Sequence, residues 1–263
     1  MSFSSFFSKF KKKPDVSVDK SAFLLKPDSP FATIEAYRMM RTNITYAASN
    51  IEPPIYGVTS AMPNEGKSIN CANIAISFAH AGKKVLLIDA DMRNPTQAAL
   101  FGISSGNGLS EYLAAVSDEP TILSTEYENL SIIAAGHKAP NPAELLGSDR
   151  IAELFKKARE QFDFIFLDLP PVNIISDATI LASHLTGFLF VVDSGRTHSA
   201  AAKRALESIR MVGGNIIGFA LNRVNPKKNG SSYYGYSYKS YRYAKRYYKN
   251  YDTSSSHSHK KKS

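Results

Sequence analysis

The chain has 263 residues, 43% hydrophobic and 21% charged, which is enough for one large domain with its own core. Its single cysteine, Cys71, excludes a disulfide framework, and no apolar run approaches the ~18 residues of a membrane span. The net charge of +9 suggests nucleic acid until it is divided by region.

Residues 1–28 carry six Lys against three Asp, and residues 226–263 carry 10 Lys and Arg against one Asp. Residues 29–225, in contrast, hold 16 Lys and Arg against 19 Asp and Glu. The body is slightly acidic and the basicity sits in the two ends, so no nucleic-acid partner is expected. Without a secretory signal pattern, the expected compartment is the reducing cytoplasm.

In chain order, Phe3, Phe6, Phe7 and Phe10 fall at helical spacing just before Lys11-Lys12-Lys13. That suits a short amphipathic helix on a membrane surface. Chance spacing in an unordered segment accounts for it equally, because one or two helical turns are marginal in water. Residues 1–28 are expected to form a flexible segment, for docking on a membrane or a partner. Next, Glu35, Arg38 and Arg41 recur every three residues on a predicted helix and form one charged ridge. The same spacing permits a solvated helix with an internal ion pair.

From about residue 30 to 225, short apolar runs alternate with helical patterns. The strand candidates are Ile55–Thr59, Val85–Ile88, Leu130–Ala134, Phe164–Leu167, Phe188–Val192 and Ile216–Leu221. Helical stretches include Lys67–Ala81, Asp149–Gln161 and Ser199–Met211. Such alternation means βαβ units, hence an α/β fold with a mostly parallel central sheet and helices on both faces. Ligands in these sheets bind beyond the carboxyl ends of the strands, so chemistry-bearing residues are sought there.

The first strand runs into Ser60-Ala61-Met62-Pro63-Asn64-Glu65-Gly66-Lys67-Ser68 and then a helix, the context of a P-loop. Backbone N–H groups from Asn64 to Ile69 and the helix start would surround a polyphosphate, with Lys67 neutralising it and the Ser68 hydroxyl on Mg²⁺. Ala61 replaces the usual first glycine, and Asn64 stands where related loops often carry Gly. Asn tolerates a left-handed conformation, so the turn remains feasible. The second strand ends in Asp89-Ala90-Asp91-Met92-Arg93. Two carboxylates two residues apart repel each other unless a cation joins them, which makes them metal ligands or a base, with Arg93 as ion partner or phosphate contact. A third carboxylate, Asp168, ends the strand Phe164–Leu167. Three strands thus deliver Lys67 and Ser68, Asp89 and Asp91, and Asp168 to one sheet edge, which reads as a Mg²⁺–nucleotide site.

Nine of the 14 tyrosines lie in the basic tail: Tyr233, Tyr234, Tyr236, Tyr238, Tyr241, Tyr243, Tyr247, Tyr248 and Tyr251. The tail has no aliphatic residue larger than Ala, so it cannot build a core and is expected to be disordered. By composition alone it suits stacking on single-stranded RNA as well as it suits accepting phosphate.

Together these residues resemble the bacterial tyrosine kinases of capsule and exopolysaccharide synthesis. The Asp89-x-Asp91-x-Arg93 strand end matches that family's extra Walker motif, and Asp168 with Pro170 matches its Walker B, although Leu169 stands where Thr is commoner. The resemblance covers residues 30–225 and, by character, the tail. It implies an ATP- and Mg²⁺-dependent protein-tyrosine kinase domain at 29–225, with Lys67, Asp89, Asp91 and Asp168 catalytic. Asp89 is the first choice for the base, although the order of Asp89 and Asp91 is not readable.

It further implies that Ser68, Asp89, Asp91 and Asp168 hold the metal. ATP would lie on Asn64, Glu65, Gly66, Lys67, Ser68, Ile69 and Arg93, with Asn222 near the base by analogy. Glu35, Arg38 and Arg41 would mediate a ring-like homo-oligomer in which the nine tail tyrosines are phosphorylated in trans. Partners implied are a membrane-embedded polysaccharide co-polymerase as activator, a protein-tyrosine phosphatase and other protein substrates. The chain would then sit peripherally at the inner face of the membrane. A MinD/ParA-like ATPase switch is the alternative, but those P-loops commonly carry a second Lys where this chain has Met62.

Overall fold

The computed structural model describes residues 20–47, 53–104 and 106–224. The N-terminal Phe stripe and the tail tyrosines lie outside them. The strands are β1 (Ile55–Ser60), β2 (Val85–Asp89), β3 (Leu123–Ser124), β4 (Leu130–Ile133), β5 (Phe164–Asp168), β6 (Gly187–Asp193) and β7 (Ile216–Asn222). They form one sheet in the order β3-β4-β2-β5-β1-β6-β7, parallel throughout except for β3 on β4. This is the α/β architecture expected from the alternation of apolar runs and helices. The two-residue β3 was not expected, because so short a segment has no periodicity to read.

The helices are α1 (Phe31–Ala47), α2 (Lys67–Ala79), α3 (Gln97–Leu100), α4 (Leu109–Leu113), α5 (Pro142–Leu146), α6 (Asp149–Gln161), α7 (Asp177–Ile180) and α8 (Ser199–Met211). Strand residues alternate between two cores, as a period of two requires. Leu86 and Ile88 of β2 join Ile151, Leu154 and Phe155 of α6 and Ala205 and Ile209 of α8 on one face. Val85 and Leu87 join Ile74 and Phe78 of α2 and Ile44 of α1 on the other. The α6 stripe Ile151, Leu154, Phe155 and Ala158 has the i, i+3, i+4, i+7 spacing that buries one helical face. Burial on both faces holds β1, β2 and β5 side by side at the centre, with their carboxyl ends at one rim.

Among the described residues, some that precede residue 29 also pack on the body. Lys20–Phe23 is a 3₁₀ turn, after which Leu24 and Leu25 are buried against α2, and the Leu25 amide donates to Asn73 Oδ1 at 2.7 Å. Two adjacent leucines carry no pattern that marks them as core.

Candidate functional site

The loop between β1 and α2 is bent by two left-handed residues, Asn64 at φ 63° and Gly66 at φ 94°. Three contacts brace it from outside. The buried Glu65 carboxylate accepts the Met62 amide at 3.0 Å and the Thr197 hydroxyl at 2.5 Å. Asn222 Nδ2, at the end of β7, donates to the Glu65 carbonyl at 2.9 Å. Arg223 Nη1 donates to the Asn64 carbonyl at 2.9 Å and to Asp193 Oδ2 at 2.5 Å. A Cβ on Gly66 would lie 2.0 Å from Asn222 Nδ2, so only glycine fits under that brace.

Lys67 is the hinge of the site. Its Nζ donates to Asp91 Oδ2 at 2.7 Å, to Asp168 Oδ1 at 3.2 Å and to Ser68 Oγ at 3.2 Å. Burial works to lower its pKa, but the carboxylates of Asp168 and Asp91 outweigh burial and hold the ammonium above the usual lysine range. Lys67, Ser68, Ile69, Gly66 and Asn64 line a cleft of about 370 Å³ at the rim of the sheet, opposite Asp91, Arg93, Thr96, Pro171 and Ile174.

The strand-end carboxylates divide into two kinds. Asp91 faces the cleft, whereas Asp89 and Asp168 are fully buried and do not line it. Asp89 pairs in register with Asp168 across β2 and β5, and its Oδ2 accepts the amides of Thr96 at 2.9 Å and Gln97 at 2.8 Å. Burial and the neighbouring Asp168 raise its pKa to about 7, against the pull of those two amides and Lys67. The sequence reading that puts Asp89 first as base therefore meets a side chain turned into the protein, away from the cleft wall. Arg93 lines the cleft and also grips the buried Asp177 of α7, with Nε 2.9 Å from Oδ2 and Nη2 3.2 Å from Oδ1.

Gln97, which sequence reasoning passed over, connects three motifs. Its Nε2 donates to Asp168 Oδ2 at 2.8 Å and to the Ser68 carbonyl at 3.1 Å, while its own amide is held by Asp89. Asp177, Gln97 and Arg223 left no signal in the text. Asp193 did, because it closes β6 in the same apolar-run-then-Asp pattern as Asp89 and Asp168. Asn222, expected near the nucleotide base, here braces the P-loop backbone.

The residues fit Mg²⁺. Among the described residues no set of three or more Asp, Glu, His or Cys is arranged as a metal cage. Mg²⁺ does not need one, since one or two carboxylates plus phosphate and water usually complete its shell. The Lys67 ammonium already occupies a cation position between Asp91 and Asp168. The buried Asp89 Oδ1, behind them, has no hydrogen-bond partner among the described residues.

On the ridge, Glu35 and Arg38 form an exposed ion pair at 2.7 Å. Arg41 instead turns onto the last turn of α2, where Nη1 donates to the Ser77 carbonyl at 2.6 Å. Among the described residues no helix is long and apolar enough to cross a membrane.

The chain is similar in sequence and fold to known proteins. The sequence model of a AAA-domain family matches residues 64–194. The tyrosine-protein kinase YwqD of Bacillus subtilis is 37% identical over 203 residues, 77% of this chain and 85% of that protein. The tyrosine-protein kinase CpsD of Streptococcus agalactiae is 34% identical over 195 residues, 73% and 84% of the two chains. Among solved structures, the kinase domain of the Escherichia coli tyrosine kinase ETK superposes with a TM-score of 0.71 at 33% identity, covering 76% of this chain and 78% of that one.

Proposed function

This chain belongs to the bacterial tyrosine kinase family, and we propose that its P-loop site moves the γ-phosphoryl group of ATP onto tyrosines of its own tail, from one copy to the next. The acceptors are Tyr233, Tyr234, Tyr236, Tyr238, Tyr241, Tyr243, Tyr247, Tyr248 and Tyr251. The observation that carries this reading is Lys67, which lines the cleft and is held between Asp91 and Asp168.

The loop amides from Asn64 to Ile69 and the Lys67 ammonium hold the β- and γ-phosphates, and Arg93 adds charge at the far wall. Ser68 and Asp168 would hold Mg²⁺, with Asp89 behind them and Asp91 left to the acceptor. Bound Mg²⁺ neutralises phosphate charge that the lysine alone does not.

During transfer the bond from the γ-phosphorus to its bridging oxygen breaks, and a new bond forms to the tyrosine oxygen. The phenolic proton passes to Asp91, the carboxylate of the pair that lines the cleft. Tyrosine has a pKa near ~10, so the proton leaves as charge develops in the transition state. Asp89, locked by two amides, fixes the turn that follows β2.

The acceptor cluster lies in the segment 226–263, outside the kinase body at 29–225 and the N-terminal segment 1–28. Each phosphate adds about −1.5 to −2 charges. Five would thus roughly cancel the tail's positive charge and change what the tail touches. Glu35 and Arg38 are exposed for contact between copies in a ring, while Arg41 fixes the helix that bears them. Regulation of capsule or exopolysaccharide synthesis, activation by the cytosolic end of a membrane-embedded polysaccharide co-polymerase, a peripheral place at the inner membrane face and reversal by a protein-tyrosine phosphatase complete the proposal.

The test is phosphotyrosine mapping after incubation of the full chain with ATP, Mg²⁺ and the activator's cytosolic fragment. Tail tyrosines modified in the parent and unmodified in Lys67→Met support the reading. ATP hydrolysis without phosphotyrosine refutes it in favour of a MinD-like switch.

A further inference from the structure

We infer that Gln97 is a positioning residue that sets the Asp168 carboxylate for the metal, and that Asp89 serves it by fixing the backbone from which Gln97 reaches. The inference rests on the Mg²⁺–nucleotide reading of the cleft and goes beyond it.

A carboxylate at a strand end can rotate about its last bond and present either oxygen. In Asp168 the two oxygens are committed differently. Oδ2 accepts Gln97 Nε2 at 2.8 Å, with Thr96 Oγ1 at 3.4 Å, and Oδ1 faces Lys67 at 3.2 Å. With Oδ2 engaged by a neutral amide, Oδ1 alone is directed to the cation side. The second N–H of the same amide donates to the Ser68 carbonyl at 3.1 Å, so one side chain ties the residue that offers a hydroxyl to the carboxylate opposite it. The tie is rigid because Gln97 is fully buried and its own backbone amide is pinned by Asp89 at 2.8 Å.

An amide suits this place for a physical reason. A cationic donor would compete with the metal, and a carboxylate would repel Asp168 in a buried setting. The Gln97 Oε1 remains without a partner among the described residues, a desolvation penalty retained only where the two donor contacts matter. Groups that orient a metal-binding carboxylate without touching the metal typically change metal affinity ~10–100-fold when removed.

The test uses the full chain and the affinity for ADP measured with and without Mg²⁺. Gln97→Met matches the side chain in length and removes both donors. The expected result is a Mg²⁺-free ADP affinity within about twofold of the parent and a loss of about tenfold in the tightening that Mg²⁺ brings. In phosphotyrosine assays the KM for Mg²⁺ should rise and kcat fall, with the KM for ATP at saturating Mg²⁺ nearly unchanged. Equal Mg²⁺-dependent tightening in the parent and a folded Gln97→Met overturns the inference.

Should Gln97→Met fail to fold, Gln97→Asn, which keeps the amide one methylene short of both acceptors, must show the same Mg²⁺-specific loss. Its absence there also overturns the inference. A parent that transfers no phosphate to tyrosine, yet shows Mg²⁺-dependent tightening that Gln97→Met loses, defeats the kinase reading and leaves this one standing.

Discussion

The P-loop brace makes a quantitative prediction. Gly66 sits at φ 94°, and an alanine Cβ there would come to 2.0 Å from Asn222 Nδ2. Left-handed backbone costs an L-residue ~1–2 kcal/mol. Displacing Asn222 also breaks its bond to the Glu65 carbonyl, worth about 1 kcal/mol net. Gly66→Ala should therefore destabilise the chain by about 2–3 kcal/mol. Asn222→Ala alone loses that bond, about 1 kcal/mol, and leaves to water the exposed Arg223 amide that Asn222 Oδ1 accepts at 2.9 Å.

In the double variant that bond is lost once rather than twice, because the collision has gone. The two effects should fall short of additivity by about 1 kcal/mol, a size seen for residues in direct contact. Urea unfolding of all four chains, with m-values compared to confirm a common unfolded state, supplies the cycle. Additivity to within ~0.3–0.5 kcal/mol would show that Asn222 and Gly66 are independent and that the brace plays no part.

Two further predictions concern the surroundings of the site. Arg93→Ala leaves the Asp177 carboxylate, whose side chain is 0% exposed, without its ion partner. Because Arg93 itself is 40% exposed, the expected loss is about 2 kcal/mol, below the ~3–5 of a fully buried pair, and a change under ~0.5 in urea unfolding contradicts it. Burial works to raise the Glu111 pKa, but the amides of Gly108 and His137 and the His137 ring overcome that and bring it from 4.5 to about 2. The charged form is thus favoured in the folded chain. Its contribution is complete above pH 4.5 and fades as pH falls toward 2, so Glu111→Gln should flatten the acid limb of stability against pH, and an unchanged slope would refute the assignment.

The parts of the site that lie at strand ends were legible because each carries its own signal. Leu86–Asp89 and Phe164–Asp168 are apolar runs closed by a carboxylate, and burial on both faces of a central strand produces that pattern. The left-handed Asn64 was anticipated from its tolerance of positive φ. Helices α6 and α8 match their expected limits because their apolar stripes set them.

The bracing residues could not be read in the same way. Gln97, Asp177 and Arg223 are single polar residues in or next to turns, and each acquires its role from a partner 71, 84 or 159 positions away. No local periodicity encodes such distances. The outward or inward aim of Asp89 was equally hidden, since a period of two fixes a face but not what the following turn places over it. Arg41 shares its spacing with Arg38, yet one is drawn to a helix-end carbonyl and the other stays in solvent.

The central claim is that Lys67 and its carboxylates transfer phosphate to a neighbour's tyrosines. It is tested most directly by mixing two chains, neither of which can phosphorylate its own tail: Lys67→Met with its tail intact, and a chain whose nine tail tyrosines are replaced by phenylalanine. With ATP, Mg²⁺ and the activator's cytosolic fragment, phosphotyrosine should appear on the Lys67→Met tail only in the mixture. A mixture with no phosphotyrosine, under conditions in which the parent modifies its own tail, would contradict transfer between copies.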